Sequence, residues 1–93
     1  MKLDGLTVLD LSLFLPGPAA TRLMADHGAR VIKVENPRAP EPTRSAEAFP
    51  WQQGGETVMF RNTQRGKESI ALDLKTDAGK RALLFLSLFS FFF

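Results

Sequence analysis

Hydrophobic positions at the start of the chain form a run, then recur at helical spacing, then form a second run. Residues 6–11, LTVLDL, are mostly apolar, which predicts a strand buried in a parallel sheet. Residues 16–18, Pro-Gly-Pro, end that strand, and Pro18 suits a first helical turn. The apolar positions that predict the helix are Ala19, Ala20, Leu23 and Met24. Gly28 is placed to end this helix.

A second strand is predicted for Arg30–Glu35, RVIKVE. Two strands joined by one helix, within about thirty residues, are typical of a right-handed β-α-β crossover. The expected fold class is therefore α/β.

Residues 36–55 have a different composition. They hold four of the six prolines and show no periodicity, so we expect an irregular segment that is functional or bound to a partner. Order is expected to resume near residue 57, and Arg65–Lys67 is predicted to be a basic turn.

The alternation in residues 69–75, SIALDLK, predicts a third strand. Ile70, Leu72 and Leu74 would share its buried face. Thr76 and Asp77 are typical helix-start residues, so a second helix is expected after them.

The last dozen residues are mostly Leu and Phe. A membrane-spanning helix needs about 20 apolar residues, so no span is expected here. Five of the eight phenylalanines lie after Leu84, and the final triplet has neither helical nor strand periodicity. We therefore expect residues 1–84 to form the domain and residues 85–93 to be an aberrant hydrophobic tail.

Composition narrows the possible functions. The net charge of +2 is too small to indicate nucleic-acid binding. The chain has no cysteine and only one histidine, His27, which excludes disulfides, thiol nucleophiles and a multi-histidine metal site within one chain. We therefore expect no metal. The N-terminus lacks the apolar core of a secretory signal, so a cytoplasmic location is expected.

The Pro-Gly-Pro corner is the first candidate binding site. A strand-to-helix junction presents free backbone N–H groups and the positive end of a helix dipole, which suit a phosphate or carboxylate. Gly17 would let a ligand approach the backbone. A tight corner without a ligand is the simpler interpretation from spacing alone. A dinucleotide fingerprint is not indicated, because G-x-G-x-x-G is missing even though Glu35 ends the second strand.

Charged side chains give no catalytic constellation. Asp10, Asp26 and Asp73 each lack a second acid or an orienting histidine at a suitable spacing, so no catalytic residue is assigned. Lys75, and also Arg65 and Lys67, could attract a phosphate, although solvated positions at a turn and a strand end explain them equally simply.

Taken in order, several motifs resemble the N-terminus of the family III CoA-transferases. They are LDGLTVLDLS, the GP corner, LMADHGARVIKVENP, TR and RGKESIALDLK. That family also includes α-methylacyl-CoA racemases and carnitine CoA-transferases, and the similarity extends from Leu3 to about Leu84.

The resemblance implies the incomplete N-terminal part of a large domain with a Rossmann-like α/β core, in an interlocked homodimer. It implies coenzyme A or acyl-CoA as substrate and an aspartate that attacks the thioester in the transferases. Racemases of the family use a His and an Asp instead. Both sets of residues lie beyond the matching region, so we expect no transferase activity from this chain alone.

The resemblance also implies which residues bind CoA. The loop before the corner corresponds to Leu15, Pro16 and Gly17, and the LDLK segment that meets the nucleotide part corresponds to Leu72 and Lys75. Asn36 stands where some members have a CoA-binding arginine.

Two further positions depart from the family pattern. Glu41 replaces the aspartate that precedes Arg44 in the family D-x-x-R motif, and Glu68 replaces a basic residue.

Four interpretations remain open at this point. The chain is expected to be a truncated or frame-shifted fragment of an acyl-CoA:carboxylate CoA-transferase. The alternatives are a fragment of a racemase, a non-catalytic stub that binds CoA or a partner subunit, and an inert product that does not fold by itself and aggregates through its Leu/Phe tail.

Overall fold

The computed structural model describes residues 1–13, 16–45, 47, 51–53 and 56–93. The elements are β1 (Thr7–Asp10), α1 (Pro16–Asp26), β2 (Arg30–Glu35), a 3-10 helix (Pro42–Arg44), β3 (Gln52–Gln53), β4 (Glu56–Thr57), α2 (Val58–Gln64), β5 (Glu68–Ala71), α3 (Asp77–Ser87) and β6 (Phe91–Phe92). A four-stranded parallel sheet in the order β5-β2-β1-β6 forms the centre of the structure.

The β-α-β unit predicted at the start of the chain is confirmed. β1 and β2 are parallel neighbours, with Val8 opposite Val31 and Leu9 opposite Ile32. The helix begins at Pro16, two residues before the predicted start, and the chain leaves it at Gly28 with φ of 101°. Only glycine adopts that conformation without strain, which explains the residue at this turn.

The sheet is covered on both faces. Val8 and Val31 pack with Met24 and Ala25 of α1, whereas the next residues along each strand pack against α3. The members of this second cluster are Leu9, Ile32 and Val34, with Ile70, Leu72, Leu83 and Leu86 around them. Because neighbouring strand residues point to opposite faces, continuous apolar runs were the correct signal for a sheet between two helical layers.

The prediction that residues 36–55 lack regular structure is wrong in part. Pro42–Arg44 forms a 3-10 helix, and β3 pairs with β4 in an antiparallel ladder. Helix α2 was also not predicted, although Thr57 caps it by accepting a hydrogen bond from the Phe60 N–H at 3.1 Å. Elements this short contain too few residues to show a periodic pattern of hydrophobic positions.

The third strand is shorter than predicted. β5 ends at Ala71, and Leu72 adds only one more backbone bond to the ladder, from its N–H to the Glu35 carbonyl at 2.9 Å. The Asp73 carbonyl then accepts hydrogen bonds from both the N–H and the hydroxyl of Thr76. This turn leads directly into α3, so residues 72–75 leave the sheet.

The C-terminal segment is part of the sheet. Phe91 and Phe92 pair with Val8 and Leu9, and the Phe93 N–H donates to the Leu9 carbonyl at 2.9 Å. Backbone bonds, which side-chain periodicity does not reveal, hold this edge strand. Within the described part of the chain, no helix has the length and apolarity to cross a membrane.

Candidate functional site

Polar side chains gather at the carboxyl end of the sheet, on the face that α1 covers. Asp10 and Lys33 each interrupt an apolar run, and they lie next to one another because they are register partners on β1 and β2. Glu41 and Lys67 join them from other parts of the chain, and all four side chains are almost fully buried. We call these four residues the buried charge cluster.

Asp10 is held by donors from three segments. Its Oδ2 accepts hydrogen bonds from Lys67 Nζ at 2.8 Å and from Thr21 Oγ1 at 2.7 Å. Its Oδ1 accepts from the N–H and the hydroxyl of Ser12. Burial disfavours the carboxylate, but the hydrogen bonds from Lys67, Ser12 and Thr21 outweigh burial and hold the pKa of Asp10 below its usual value. Asp10 therefore stays ionised and ties the residues on both sides of the corner to the sheet.

Lys33 and Glu41 form the second buried pair. Lys33 Nζ donates to Glu41 Oε2 at 3.0 Å and to the Ser12 carbonyl at 3.2 Å. Glu41 also accepts a hydrogen bond from Thr43. Glu41 replaces the aspartate expected from the resemblance. It pairs with a buried lysine of β2 and so anchors residues 36–45, which we call the proline-containing segment, on that strand.

A third pair reinforces this anchor. Arg44 donates to both carboxylate oxygens of Glu35, at 3.0 and 2.9 Å, and its guanidinium lies 3.9 Å above the Phe60 ring. The hydrogen bonds from Arg44, helped by Ser69 and the Glu41 N–H, outweigh burial and lower the pKa of Glu35 to about 2.

An open cavity of about 370 Å³ lies at the same end of the sheet. Its lining comes from the ends of β1 and β2 and from the turn that follows β5, namely Leu11, Leu13, Val34, Glu35, Asn36, Ala39, Glu41, Leu72, Asp73, Leu74 and Lys75. Open parallel sheets bind ligands at the carboxyl ends of their strands. We call this space the sheet-end cavity.

The structure brings together two of the five residues that the resemblance implied for CoA binding. Leu72 and Lys75 both line the sheet-end cavity. Leu15 lies outside the described residues. Pro16 and Gly17 begin α1 and are not among the lining residues.

Gly17 has a packing role within the chain. A Cβ at this position would overlap the Ser12 side chain, which is itself hydrogen-bonded to Asp10. Close packing of the corner on Ser12 thus explains the glycine without a ligand.

For Lys67, in the basic turn at Arg65–Lys67, the structure supports neither phosphate binding nor a solvated position. Lys67 is buried rather than solvated, and it donates to Asp10, to the Pro18 carbonyl and to Gln64 Oε1. Three acceptors use its three N–H donors, so it has none left for a phosphate. Arg65 pairs with Asp26 at 3.1 Å.

A second cavity, of about 360 Å³, is lined by five cationic side chains: Lys33, Arg44, Arg61, Arg65 and Lys67. Each of them has a carboxylate partner, at distances from 2.8 to 3.8 Å. These existing ion pairs reduce the attraction of this space for another anion.

Sequence reasoning missed Lys33 and Glu41 as members of the cluster. A lysine inside the apolar run VIKVE was the available signal, because an unpaired charge is very costly inside a parallel sheet. Its partner could not be identified, since Glu41 lies in a segment without periodicity.

The described residues supply no catalytic dyad at this end of the sheet, because the four members of the buried charge cluster form two ion pairs with one another. Among the described residues, no three His, Asp or Glu side chains are grouped so that they could hold a metal ion.

Comparison with known proteins gives one consistent family. The family model described as CoA-transferase family III matches residues 3–87. Acetyl-CoA:oxalate CoA-transferase of Acetobacter aceti is 44% identical over 80 residues, which cover 86% of this chain and 20% of that protein. Human succinyl-CoA:glutarate CoA-transferase is 40% identical over 81 residues, which cover 87% of this chain and 18% of that protein.

Solved structures agree in fold. A hypothetical protein from Mycobacterium tuberculosis superimposes with a TM-score of 0.76 and 33% identity, covering 94% of this chain and 23% of that one. A CaiB/BaiF family protein from Brucella suis superimposes with a TM-score of 0.75 and 37% identity, covering 87% of this chain and 22% of that one. The chain spans about a fifth of the length of the curated relatives that it matches. The family match over residues 3–87 confirms the resemblance seen in the motifs, and the chain belongs to CoA-transferase family III.

Proposed function

We propose that this chain is the CoA-binding N-terminal part of an acyl-CoA:carboxylate CoA-transferase. The sheet-end cavity carries the proposal, because it combines the carboxyl ends of two parallel strands with the turn at residues 72–75. Its volume lies within the usual range of small-molecule sites, about 300–1,000 Å³. CoA is larger than such a space, so the cavity would hold one portion of it.

The charges around the cavity suit the nucleotide end of CoA. The carboxylates in its lining already have cationic partners: Glu35 pairs with Arg44, Glu41 with Lys33, and Asp73 with Arg38 at 2.9 Å. Lys75 is exposed at the end of the turn, where its ammonium can approach a phosphate as a point charge. Leu72 and Leu74 add apolar surface beside it.

Residues 15–17 complete the proposed site. The backbone of Leu15, Pro16 and Gly17 would contact CoA at the start of α1, where the Gly17 N–H has no acceptor within the helix. Pro16 has no N–H, so it would contact CoA through its carbonyl or ring atoms. Asp10, Thr21 and Ser12 fix the residues on either side of this corner, so it would bind without rearrangement.

The reaction belongs to the whole protein. We infer transfer of CoA between carboxylic acids through an aspartyl intermediate, in a cytoplasmic, interlocked homodimer. The named relatives are CoA-transferases, which favours transfer over racemisation. This chain alone would bind CoA without turning it over.

The test is titration of the chain with CoA by isothermal calorimetry. Lys75→Glu is expected to weaken CoA binding about tenfold or more, since it replaces attraction to a phosphate with repulsion. Binding of pantetheine, which lacks the nucleotide, should change little. Lys80→Glu on α3 is the control, because it makes the same charge change at an exposed position outside the cavity lining.

Two results would contradict the proposal. One is the absence of CoA binding by the folded chain. The other is equal weakening by the Lys75 and Lys80 variants, which would indicate non-specific attraction. Thioester exchange catalysed by the purified chain would contradict the assignment of turnover to the whole protein.

A further inference from the structure

Lys33 and Lys67, the two cations of the buried charge cluster, each make a hydrogen bond outside their ion pair. Lys33 Nζ donates to the backbone carbonyl of Ser12 at 3.2 Å, and Lys67 Nζ donates to that of Pro18 at 3.1 Å. Both lysine side chains are only 2% exposed. Ser12 precedes the Pro-Gly-Pro corner and Pro18 is its last residue, so the two buried lysines hold the backbone on both sides of the corner.

Asp10 joins the two lysine contacts into one network. Its Oδ1 accepts hydrogen bonds from the N–H and the hydroxyl of Ser12, and its Oδ2 accepts from Lys67 Nζ at 2.8 Å. With the bond from Lys33 to its carbonyl, Ser12 has its N–H, its hydroxyl and its carbonyl all bonded within the network. A shift of the backbone on either side of the corner would therefore break a buried hydrogen bond to a charged group.

Two buried ion pairs are not the simplest means of stabilising this end of the sheet. Taking charges out of water is costly, and a buried ion pair can often be replaced by well-packed apolar side chains without loss of stability. Apolar side chains, however, cannot donate to the carbonyls of Ser12 and Pro18. The lysines supply what apolar packing does not, which is a donor at two fixed points of the backbone.

We propose that Lys33 and Lys67 are positioning residues for CoA binding at the corner. Neither lysine contacts CoA. Their hydrogen bonds keep Pro16 and Gly17, which lie between the two held carbonyls, in the position that the ligand requires. A site that is fixed before binding gains affinity, because less free energy is spent on ordering it.

This role rests on the proposed function and adds a division of the ligand to it. The sheet-end cavity suits the nucleotide end of CoA, so the corner is assigned the pantetheine arm. Loosening the corner is then expected to affect the arm and to spare the nucleotide, which is the opposite of the result expected for Lys75→Glu.

Calorimetric titration of the chain with two ligands tests this role. One ligand is CoA, and the other is the adenosine bisphosphate that forms the nucleotide end of CoA and lacks the pantetheine arm. The double variant Asp10→Asn with Lys67→Met removes the lysine donor without leaving a buried charge, and neither residue lines the sheet-end cavity. It is expected to weaken CoA binding about tenfold, because the corner is no longer held in place, and to leave nucleotide binding unchanged.

Lys33→Met with Glu41→Leu tests the other side of the corner. Glu41 lines the sheet-end cavity, so its replacement also affects the nucleotide. The readout is therefore the ratio of CoA affinity to nucleotide affinity, which is expected to fall about tenfold as the Ser12 carbonyl loses its donor.

Val31→Ala is the matched control. Val31 is buried on the same strand and the same face as Lys33, and its side chain has no hydrogen-bonding group. This variant loses core packing alone, so it is expected to lower stability and to keep the affinity ratio of the unmodified chain.

Circular dichroism and urea unfolding establish that each variant is folded under the conditions of titration. If one double variant does not fold, the other decides the result. Loss of folding in both would overturn the proposal, because the lysines would then be needed for the fold itself.

Failure of this role is distinguishable from failure of the proposed function. If the unmodified chain binds neither ligand, the proposed function fails, and the positioning role fails with it. If it binds both but the double variants keep full CoA affinity, the proposed function stands and the positioning role is wrong. Three further results would overturn the role alone: equal affinity of the unmodified chain for both ligands, equal weakening of both in Asp10→Asn with Lys67→Met, and a fall in the ratio for Val31→Ala.

Discussion

Asp10 and Lys33 are register partners on adjacent parallel strands, yet each forms its ion pair with a residue from another segment. Asp10 binds Lys67, 57 residues later, and Lys33 binds Glu41, eight residues later. The two pairs thereby attach both the basic turn and the proline-containing segment to the carboxyl end of the sheet. The sheet-end cavity is built on residues that these pairs hold in place.

Removing one member of the Lys33–Glu41 pair should destabilise the fold strongly. Both side chains are buried, so Lys33→Met leaves an uncompensated carboxylate and is expected to cost about 3–5 kcal/mol of unfolding free energy. Urea unfolding followed by circular dichroism measures this loss. The double variant Lys33→Met with Glu41→Leu should recover most of it, since no unpaired charge then remains. A double variant no more stable than Lys33→Met would show that the ion pair itself is not the cause.

The pair between Glu35 and Arg44 predicts acid sensitivity. The folded-state pKa of Glu35 is about 2, below its ordinary 4.5. A carboxyl group with a depressed pKa stabilises the fold fully above about pH 4.5, and this contribution is lost as the pH falls towards 2. Because Arg44 is partly exposed, we expect a loss of only about 1–2 kcal/mol.

Unfolding free energy measured between pH 5 and 2.5 checks this dependence. Glu35→Gln should flatten the decline, whereas Glu68→Gln, which removes a more exposed pair with Arg30, should leave it nearly unchanged. The same slope in the Glu35 variant and the unmodified chain would assign the acid sensitivity to other carboxylates.

The sequence predicted those parts of the fold that have a long apolar pattern or a clear boundary residue. Examples are the apolar run at Arg30–Glu35, the helical spacing after Pro18 and the helix cap at Thr76. Each of these signals lies within a single segment of the chain. The 3-10 helix and α2 were missed because three and seven residues do not complete two amphipathic turns.

The candidate site was predictable only where a motif carried it. Leu72 and Lys75 came from the resemblance, and the structure places both in the sheet-end cavity. Local pattern could not give the pairing of Lys33 with Glu41 or of Asp10 with Lys67, because each depends on how distant segments pack.

Thr57 should be a stronger helix cap than Thr76. Each accepts a backbone N–H at the start of its helix, at 3.1 Å, and losing such a cap costs about 1 kcal/mol. Thr57 is also buried and donates to the Thr43 carbonyl, which would lose its donor on substitution. We therefore expect Thr57→Ala to cost about 2 kcal/mol and Thr76→Ala about 1 kcal/mol in urea unfolding. Equal costs would mean that the bond to Thr43 contributes nothing.

Gly79 is expected to resist replacement by alanine, although it lies inside a helix. Alanine normally stabilises a helix interior by about 1 kcal/mol relative to glycine. Here a Cβ would overlap the backbone carbonyl of Asp73, which Thr76 holds in place with two hydrogen bonds. Gly79→Ala should therefore destabilise the chain by about 2 kcal/mol, because rigid backbone must move to make room.

Asp73 also lines the sheet-end cavity, so the same substitution should weaken CoA binding. Ala78→Gly at the neighbouring exposed position is the control. It should cost about 1 kcal/mol through helix propensity alone and leave CoA affinity unchanged. Urea unfolding and calorimetric titration of both variants measure the two effects. If Gly79→Ala stabilised the chain, the close contact between α3 and the turn at residues 72–75 would be wrong.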